Sequence, residues 1–399
     1  MKLNQNMPLS CIAVKDEPAQ QHIPSHIAPL YLSSTYIYDS PEKAHSVFSG
    51  KNNALIYGRW SHPNAEIAEA KIGKMEGFGT ATPAKALLFN SGMAAITALF
   101  ETVLQPGNSL IVQGNIYGTT YDYLQSLSKK FNLQLFFVDM ADLKTVEKRF
   151  KEQPIQMIYA ESPANPTLNC YDLKKIASMA HRYGAVAAID STFASPLLQH
   201  PLQLGFDVVV HSSTKYLNGH GNSLSGVIIS CNLNYIEKEV WNYRKLHGSI
   251  ISPMDAWLLN QGLKTLHLRM PQHCNNAMAV ATFLQKHPAV AAVHYPGLKT
   301  HPDHHIAKKQ MTAFGGVLSF ELKGGIKAGK KLMKAVKWCQ LTASLGATDT
   351  LIQHPASMSH SFVPKATRLK FGITDGLVRL SVGIEDASVI INDLRQALA

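Results

Sequence analysis

The sequence predicts an α/β protein: a mostly parallel sheet in a large domain, a smaller C-terminal α+β domain and an extended N-terminal arm. Three observations carry that expectation. Short runs that are apolar throughout, such as Ala86 to Phe89 and Val208 to Val210, alternate with amphipathic helical segments. Such strands are buried on both faces, which is the pattern of a parallel sheet covered by helices. Beyond Trp257 the strands become shorter and are set off by glycine turns. Residues 1–62 lack periodicity and carry turn signals at Pro24, Pro29, Pro41, Gly50 and Gly58. The expected division is therefore an arm over 1–62 that cannot bury itself and lies on another surface, that of a neighbouring subunit, a large domain over 63–256 and a small one over 257–399.

The elements follow in order. Glu66 to Gly77 reads as an amphipathic helix, and Ala86 to Phe89 as a strand running into Asn90-Ser91-Gly92-Met93 and an alanine-rich helix. Ser109 to Gln113 and Leu133 to Val138 are strands. Met157 to Ala160 ends at Glu161, Val186 to Ile189 ends at Asp190, and Asp207 to His211 leads to Lys215. Asp172 to Tyr183 is a helix and Gly226 to Ser230 one more strand. In the small domain a helical stretch spans 255–286. Then come a strand at Gly315 to Glu321, a helix near 327–337, a loop-rich segment 344–366, a strand at Val378 to Val382 and a final helix. Ligands of parallel sheets bind beyond the carboxyl ends of the strands. Ser91, Glu161, Asp190, Ser212, Thr214 and Lys215 gather there.

Composition narrows the function. The 399 residues are 46% hydrophobic and 16% charged, enough for a large core and too few charges for a disordered chain. No apolar stretch approaches the roughly 20 residues of a membrane span. Polar residues and Pro8 occupy the place of a signal peptide's apolar region, so the expectation is a soluble, cytoplasmic protein. The five cysteines are scattered without zinc or redox spacing and are expected to be free, buried thiols. The net charge of +11 comes from dispersed lysines without interleaved aromatics. It suits small anionic ligands better than nucleic acid. There is no GxGxxG, P-loop or GxSxG. His301, His304 and His305 follow Pro302-Asp303 in the manner of a helix start, and no metal is expected.

The chemistry centres on Lys215, which follows a β-branched strand and the hydroxyls of Ser212, Ser213 and Thr214. A lysine shielded from water can lose its proton and attack a carbonyl. Asp190 lies at the adjacent strand end. An acid that can hold a ring nitrogen protonated, beside a lysine that can form an imine, is the minimum kit for pyridoxal phosphate (PLP) chemistry. Ser91-Gly92-Met93 opens a helix after a strand, where a phosphate fits; taken alone, Ser91 is also an ordinary N-cap. Tyr117 could pack or stack on a planar cofactor. Arg379, inside an otherwise apolar strand, needs a partner such as a carboxylate.

Together these residues resemble the Cys/Met-metabolism PLP enzymes of fold type I, which include cystathionine lyases and synthases, methionine γ-lyase and O-acylhomoserine sulfhydrylases. The resemblance runs from about Tyr31 to the C-terminus and centres on Asp190 to Pro196 and His211 to His220. It implies that Lys215 binds the cofactor and moves protons, and that Asp190 binds the pyridine nitrogen. Ser91, Gly92, Met93, Ser212 and Thr214 would hold the phosphate, with Thr192 in the same cofactor shell. Tyr117 would stack on the ring and take part in catalysis, and Asn165 would lie near the ring hydroxyl and the substrate. Tyr57 and Arg59 would reach the site of a neighbouring subunit, Tyr57 also touching substrate, as expected of a homotetramer built from active dimers. Arg379, Ser344 and Leu345 would form the substrate-carboxylate site.

Several positions depart from the family pattern: His62-Pro63-Asn64, Ser191, Thr119 in place of a cysteine common in methionine γ-lyases, and Asp349 where several cystathionine enzymes carry a glutamate for the distal amino group. The expected activity is carbon–sulfur cleavage of an amino acid. Cystathionine β-elimination to homocysteine, pyruvate and ammonia is placed ahead of cystathionine γ-lyase, methionine γ-lyase and γ-replacement. No nucleic acid or membrane partner is expected.

Overall fold

The computed structural model describes residues 5–16, 25–359, 361, 365–370 and 372–399. Seven strands of the large domain form one sheet: β1 (Lys85–Phe89), β2 (Ser109–Gln113), β3 (Gln134–Val138), β4 (Met157–Glu161), β5 (Val186–Asp190), β6 (Val208–His211) and β7 (Gly226–Ser230). Their order is β1-β7-β6-β5-β4-β2-β3. Strands β2 to β6 are parallel, whereas β7 runs antiparallel to both β6 and β1. The apolar pattern could not show this reversal, because β7 is buried on both faces like its neighbours.

Alternation along the strands supplies two cores. Ala187, Ile189 and Val209 pack with residues of the helices Pro63–Glu76 and Pro253–Lys264. Ala188, Val208 and Val210 pack with residues of the helix Gly92–Val103. Helices therefore cover both faces, and polar side chains reach a ligand only at the strand ends. The helices Gly118–Phe131 and Leu143–Glu152, which were not anticipated, fill crossovers on either side of β3. Asp142 caps the second through the backbone N–H of Thr145.

The small domain holds β8 (Val290–His294), β9 (Val317–Leu322), β10 (Gln340–Leu341), β11 (Leu351–Gln353) and β12 (Leu377–Ser381) in the order β10-β11-β12-β9-β8. The stretch 255–286 is two helices, Pro253–Lys264 and Leu266–Gln285, which meet at Thr265. A helix at His304–Gln310 follows Asp303. The segment 344–366, read as loop, contains β11.

The arm behaves in two ways. The helix Leu9–Val14 packs on its own chain: Ile12 and Ala13 are buried, and the Asp16 carboxylate accepts from Lys71 Nζ at 2.8 Å and Lys264 Nζ at 3.0 Å. An arm with no burial on its own chain does not describe this segment. Further on, Leu32, Ile37 and Phe48 are exposed. All five cysteines are free, and Cys11 is exposed rather than buried.

Candidate active site

Lys215 is delivered by the chain leaving β6. Its backbone N–H donates to the Ser212 carbonyl at 3.1 Å, and the Gly219 N–H closes the turn on the Lys215 carbonyl at 2.7 Å. The Lys215 ammonium donates to Ser344 Oγ, 2.9 Å away on the segment preceding β11. Burial, and then the nearby charge of Arg379, lower its pKa to about 8. No carboxylate pairs with it among the described residues.

The helix Gly92–Val103 begins beside this turn, with Ser91 Oγ accepting from the Ala94 N–H at 3.1 Å. The first N–H groups of a helix have no partner within it, and Gly92 and Met93 present theirs where an anion can bind. Two glycines make the approach possible. A Cβ on Gly92 would lie 2.8 Å from Ser212 Cβ and Oγ, and one on Gly226 would lie 2.2 Å from the Ser91 carbonyl oxygen. The hydroxyls are held in place: Thr192 Oγ1 accepts from the Ser212 N–H at 2.8 Å, and Thr214 Oγ1 from the Ser225 N–H at 3.0 Å.

Asp190 ends β5 in register with Glu161 at the end of β4. Asp190 Oδ1 accepts from the Thr192 N–H at 2.9 Å, and Glu161 Oε1 from the Tyr117 N–H at 2.8 Å. Burial pushes both carboxyls upward, and the charge of Asp190 pushes Glu161 further. Thr192 and the nearby His211 offset part of the rise at Asp190. Asp190 lines the cavity beside Lys215, where its carboxyl suits a cationic nitrogen.

Arg379 lies in β12 opposite Gln353 of β11 and Ser319 of β9. It donates from Nη1 to Asn165 Oδ1 at 3.0 Å and from Nη2 to the Ser344 carbonyl at 2.8 Å. With the Gln353 amide turned to face it, that oxygen accepts from Nε and Nη2 at 3.2 Å. Burial lowers its pKa to about 10, so it stays charged at neutral pH. No described carboxylate neutralises it. A buried cation held by neutral acceptors is suited to an incoming carboxylate.

Ser91, Gly92, Met93, Tyr117, Asn165, Asp190, Thr192, Ser212, Thr214, Lys215, Ser344, Leu345 and Arg379 all line one cavity of about 260 Å³. A second cavity of about 350 Å³ shares Tyr117, Asn165 and Arg379 and adds Tyr121, Asp122, Gln353 and Arg368. Tyr57 and Arg59 line neither. Arg59 lies over the Tyr57 ring at 5.5 Å and donates to the Lys245 carbonyl, and Tyr57 is 38% exposed. Asp349 is also exposed and outside both. Gln353 was not anticipated, since only strand pairing places it on Arg379. Among the described residues no His, Cys, Asp and Glu cluster could hold a metal ion.

The donor set fits PLP: helix-terminal N–H groups and hydroxyls for the phosphate, Asp190 for the ring nitrogen and Lys215 for the aldehyde. The family described as Cys/Met metabolism PLP-dependent enzymes matches residues 10–399. The chain belongs to this family. Like other members it is a PLP-dependent lyase of fold type I. It is 43% identical to an L-methionine gamma-lyase of Fusobacterium nucleatum subsp. polymorphum over 371 residues, covering 93% of this chain and 92% of that protein. It is 40% identical to a cystathionine beta-lyase of Coxiella burnetii over 373 residues, covering 93% and 92%. A cystathionine gamma synthase of Xanthomonas oryzae pv. oryzae, solved with cystathionine, superposes with a TM-score of 0.91 at 33% identity, covering 98% of each chain. Among the described residues no helix is long and apolar enough to cross a membrane.

Proposed function

We propose that the chain is a cystathionine lyase that cleaves the Cβ–S bond, with water, to homocysteine, pyruvate and ammonia. The observation that carries this reading is the second cavity. It shares Tyr117, Asn165 and Arg379 with the first and is lined by Asp122, suited to the ammonium of a distal amino-acid arm, and by Arg368, whose guanidinium also pairs with Asp375 Oδ1 at 2.8 Å. Arg379 holds the α-carboxylate, and Lys215 removes the α-proton. Bound PLP supplies the electron sink, and Asp190 keeps its ring nitrogen protonated. One amine over one proton suffices for β-elimination; γ-elimination needs a second proton moved from Cβ.

A second reading, methionine γ-elimination, is favoured by the 43% identity to the Fusobacterium enzyme. Incubating the enzyme with cystathionine and with L-methionine separates them. Pyruvate and homocysteine from cystathionine support the proposal. 2-Oxobutyrate with cysteine moves the cleavage to Cγ, and 2-oxobutyrate with methanethiol from methionine alone overturns it. Acid release from an acylated homoserine in the presence of cysteine would identify a γ-replacement enzyme instead.

The proposal includes a shared site, in which Tyr57 and Arg59 complete the cavity of a neighbouring copy within a homotetramer. Their exposure, and that of Leu32, Ile37 and Phe48 before them, supports it. Inactive Lys215→Ala and Arg59→Ala proteins, unfolded and refolded together, are expected to recover activity at about a quarter of the sites through mixed dimers. No recovery, with mixed oligomers shown by mass, would place Arg59 outside any shared site.

A further inference from the structure

The turn that presents Lys215 ends in three carbonyls, and one buried side chain takes all of them. Arg269, on the helix Leu266–Gln285, is 5% exposed. Its Nη1 donates to the Tyr216 carbonyl at 2.9 Å. Its Nη2 reaches the carbonyls of Leu217 and Asn218 at 3.5 Å and that of Gly262 at 2.7 Å, and its Nε donates to Thr265 Oγ1 at 3.0 Å. No described carboxylate accompanies it. Burying an unpaired guanidinium is costly, and burial lowers its pKa to about 10. The neighbourhood is shaped around it. Gly219 has φ +75°, and a Cβ there would lie 2.0 Å from Arg269 Nη1; a Cβ on Gly262 would lie 2.1 Å from the Asn218 carbonyl oxygen. On another side, a Cβ on Gly346 would lie 2.7 Å from the Tyr216 nitrogen, so the segment carrying Ser344 also packs against this turn.

We propose that Arg269 is the positioning residue for the reaction's base: by gripping the carbonyls of residues 216–218 it fixes the turn from which Lys215 reaches Cα. The inference rests on Lys215 being that base. Arg269 does not touch the cavity and acts through the backbone. A cation at the carbonyl end of a single helical turn is favourable, and the planar fork spans several acceptors at once, which an ammonium cannot do. The loss expected on replacement is therefore misplacement of the Lys215 amine. Displacement of a reacting group by about 1 Å costs on the order of 100-fold in rate.

The test uses cofactor-loaded Arg269→Met, Arg269→Lys and Thr265→Val proteins, with Lys215→Ala as control. In Arg269→Met, kcat is expected to fall about 100-fold while KM moves less than about threefold. The kinetic isotope effect with Cα-deuterated substrate should rise, and the pH midpoint of the bound cofactor's visible band should move. Arg269→Lys keeps the charge but not the fork and should stay impaired. Thr265→Val, which removes the acceptor of Nε and the hydroxyl's own bond to the Gly262 carbonyl, should lose about tenfold in kcat, the low end of what one hydrogen bond to a charged group is worth. An Arg269→Met holoenzyme with kcat within about threefold of the parent and an unchanged isotope effect overturns the proposal. So does a variant that merely binds less cofactor while its loaded fraction turns over at the parent rate. If Arg269→Met does not fold, Thr265→Val decides, and parent kcat and isotope effect there overturn the proposal. Turnover retained by Lys215→Ala would instead sink the assignment of the base itself.

Discussion

Lys215→Ala is expected to lower turnover by about 10³-fold or more, because it removes the amine that binds the cofactor and the base that takes the α-proton. The phosphate cradle at Gly92, Met93, Ser212 and Thr214 is untouched by the change. The variant should still take up PLP, with its visible band shifted from that of a lysine-bound aldehyde. A spectrum and turnover like the parent's would remove Lys215 from the mechanism. The amine also carries a pH signature. Below about 8 it is a protonated ammonium that cannot attack an aldehyde; above about 8 it is neutral. The rate at which cofactor-free protein captures PLP should therefore climb with pH through about 8. A midpoint near the ordinary lysine value would mean that the amine is solvated.

The second large effect is expected at Arg379. Replacing it with methionine removes the only cation, among the described residues, that lines the first cavity beside Lys215 and leaves Asn165 Oδ1 and the Ser344 carbonyl without this donor. Loss of one partner of a buried charge pair costs about 2–5 kcal/mol. At 1.4 kcal/mol per tenfold, kcat/KM should drop by roughly 30- to 4000-fold. The loss should fall mainly on substrates that carry an α-carboxylate, and the parent's preference for an amino acid over the matching decarboxylated amine should collapse. An undiminished preference would place carboxylate recognition elsewhere. Because Arg379 depresses the Lys215 pKa, the same variant should also move the PLP-capture midpoint upward.

Much of the fold was legible because each large-domain strand is a short, wholly apolar run ended by a polar residue. Asp190, Glu161 and Lys215 could be placed at strand ends from that alone. Strand direction was not legible: β7 has the same composition whether it runs parallel or antiparallel. The helix Gly118–Phe131 escaped because Tyr117, at its N-cap, makes no side-chain cap and the usual start signal is missing. Within the site, residue types at strand ends and a helix start were readable, whereas long-range partnerships were not. Gln353 reaches Arg379 only through pairing of β11 with β12, and Arg269 reaches residues 216–218 only because two helices meet at Thr265.

Gly92 and Gly226 close on Ser212 and Ser91 so tightly that neither position has room for a methyl group. Neither glycine contributes a side-chain functional group, yet each sets how near two segments come. In a saturation library selected for activity, these two positions should tolerate as little change as Lys215, while chemically conspicuous neighbours such as Thr192 tolerate more. What selection would preserve there is empty space, and a census of reactive side chains would overlook it.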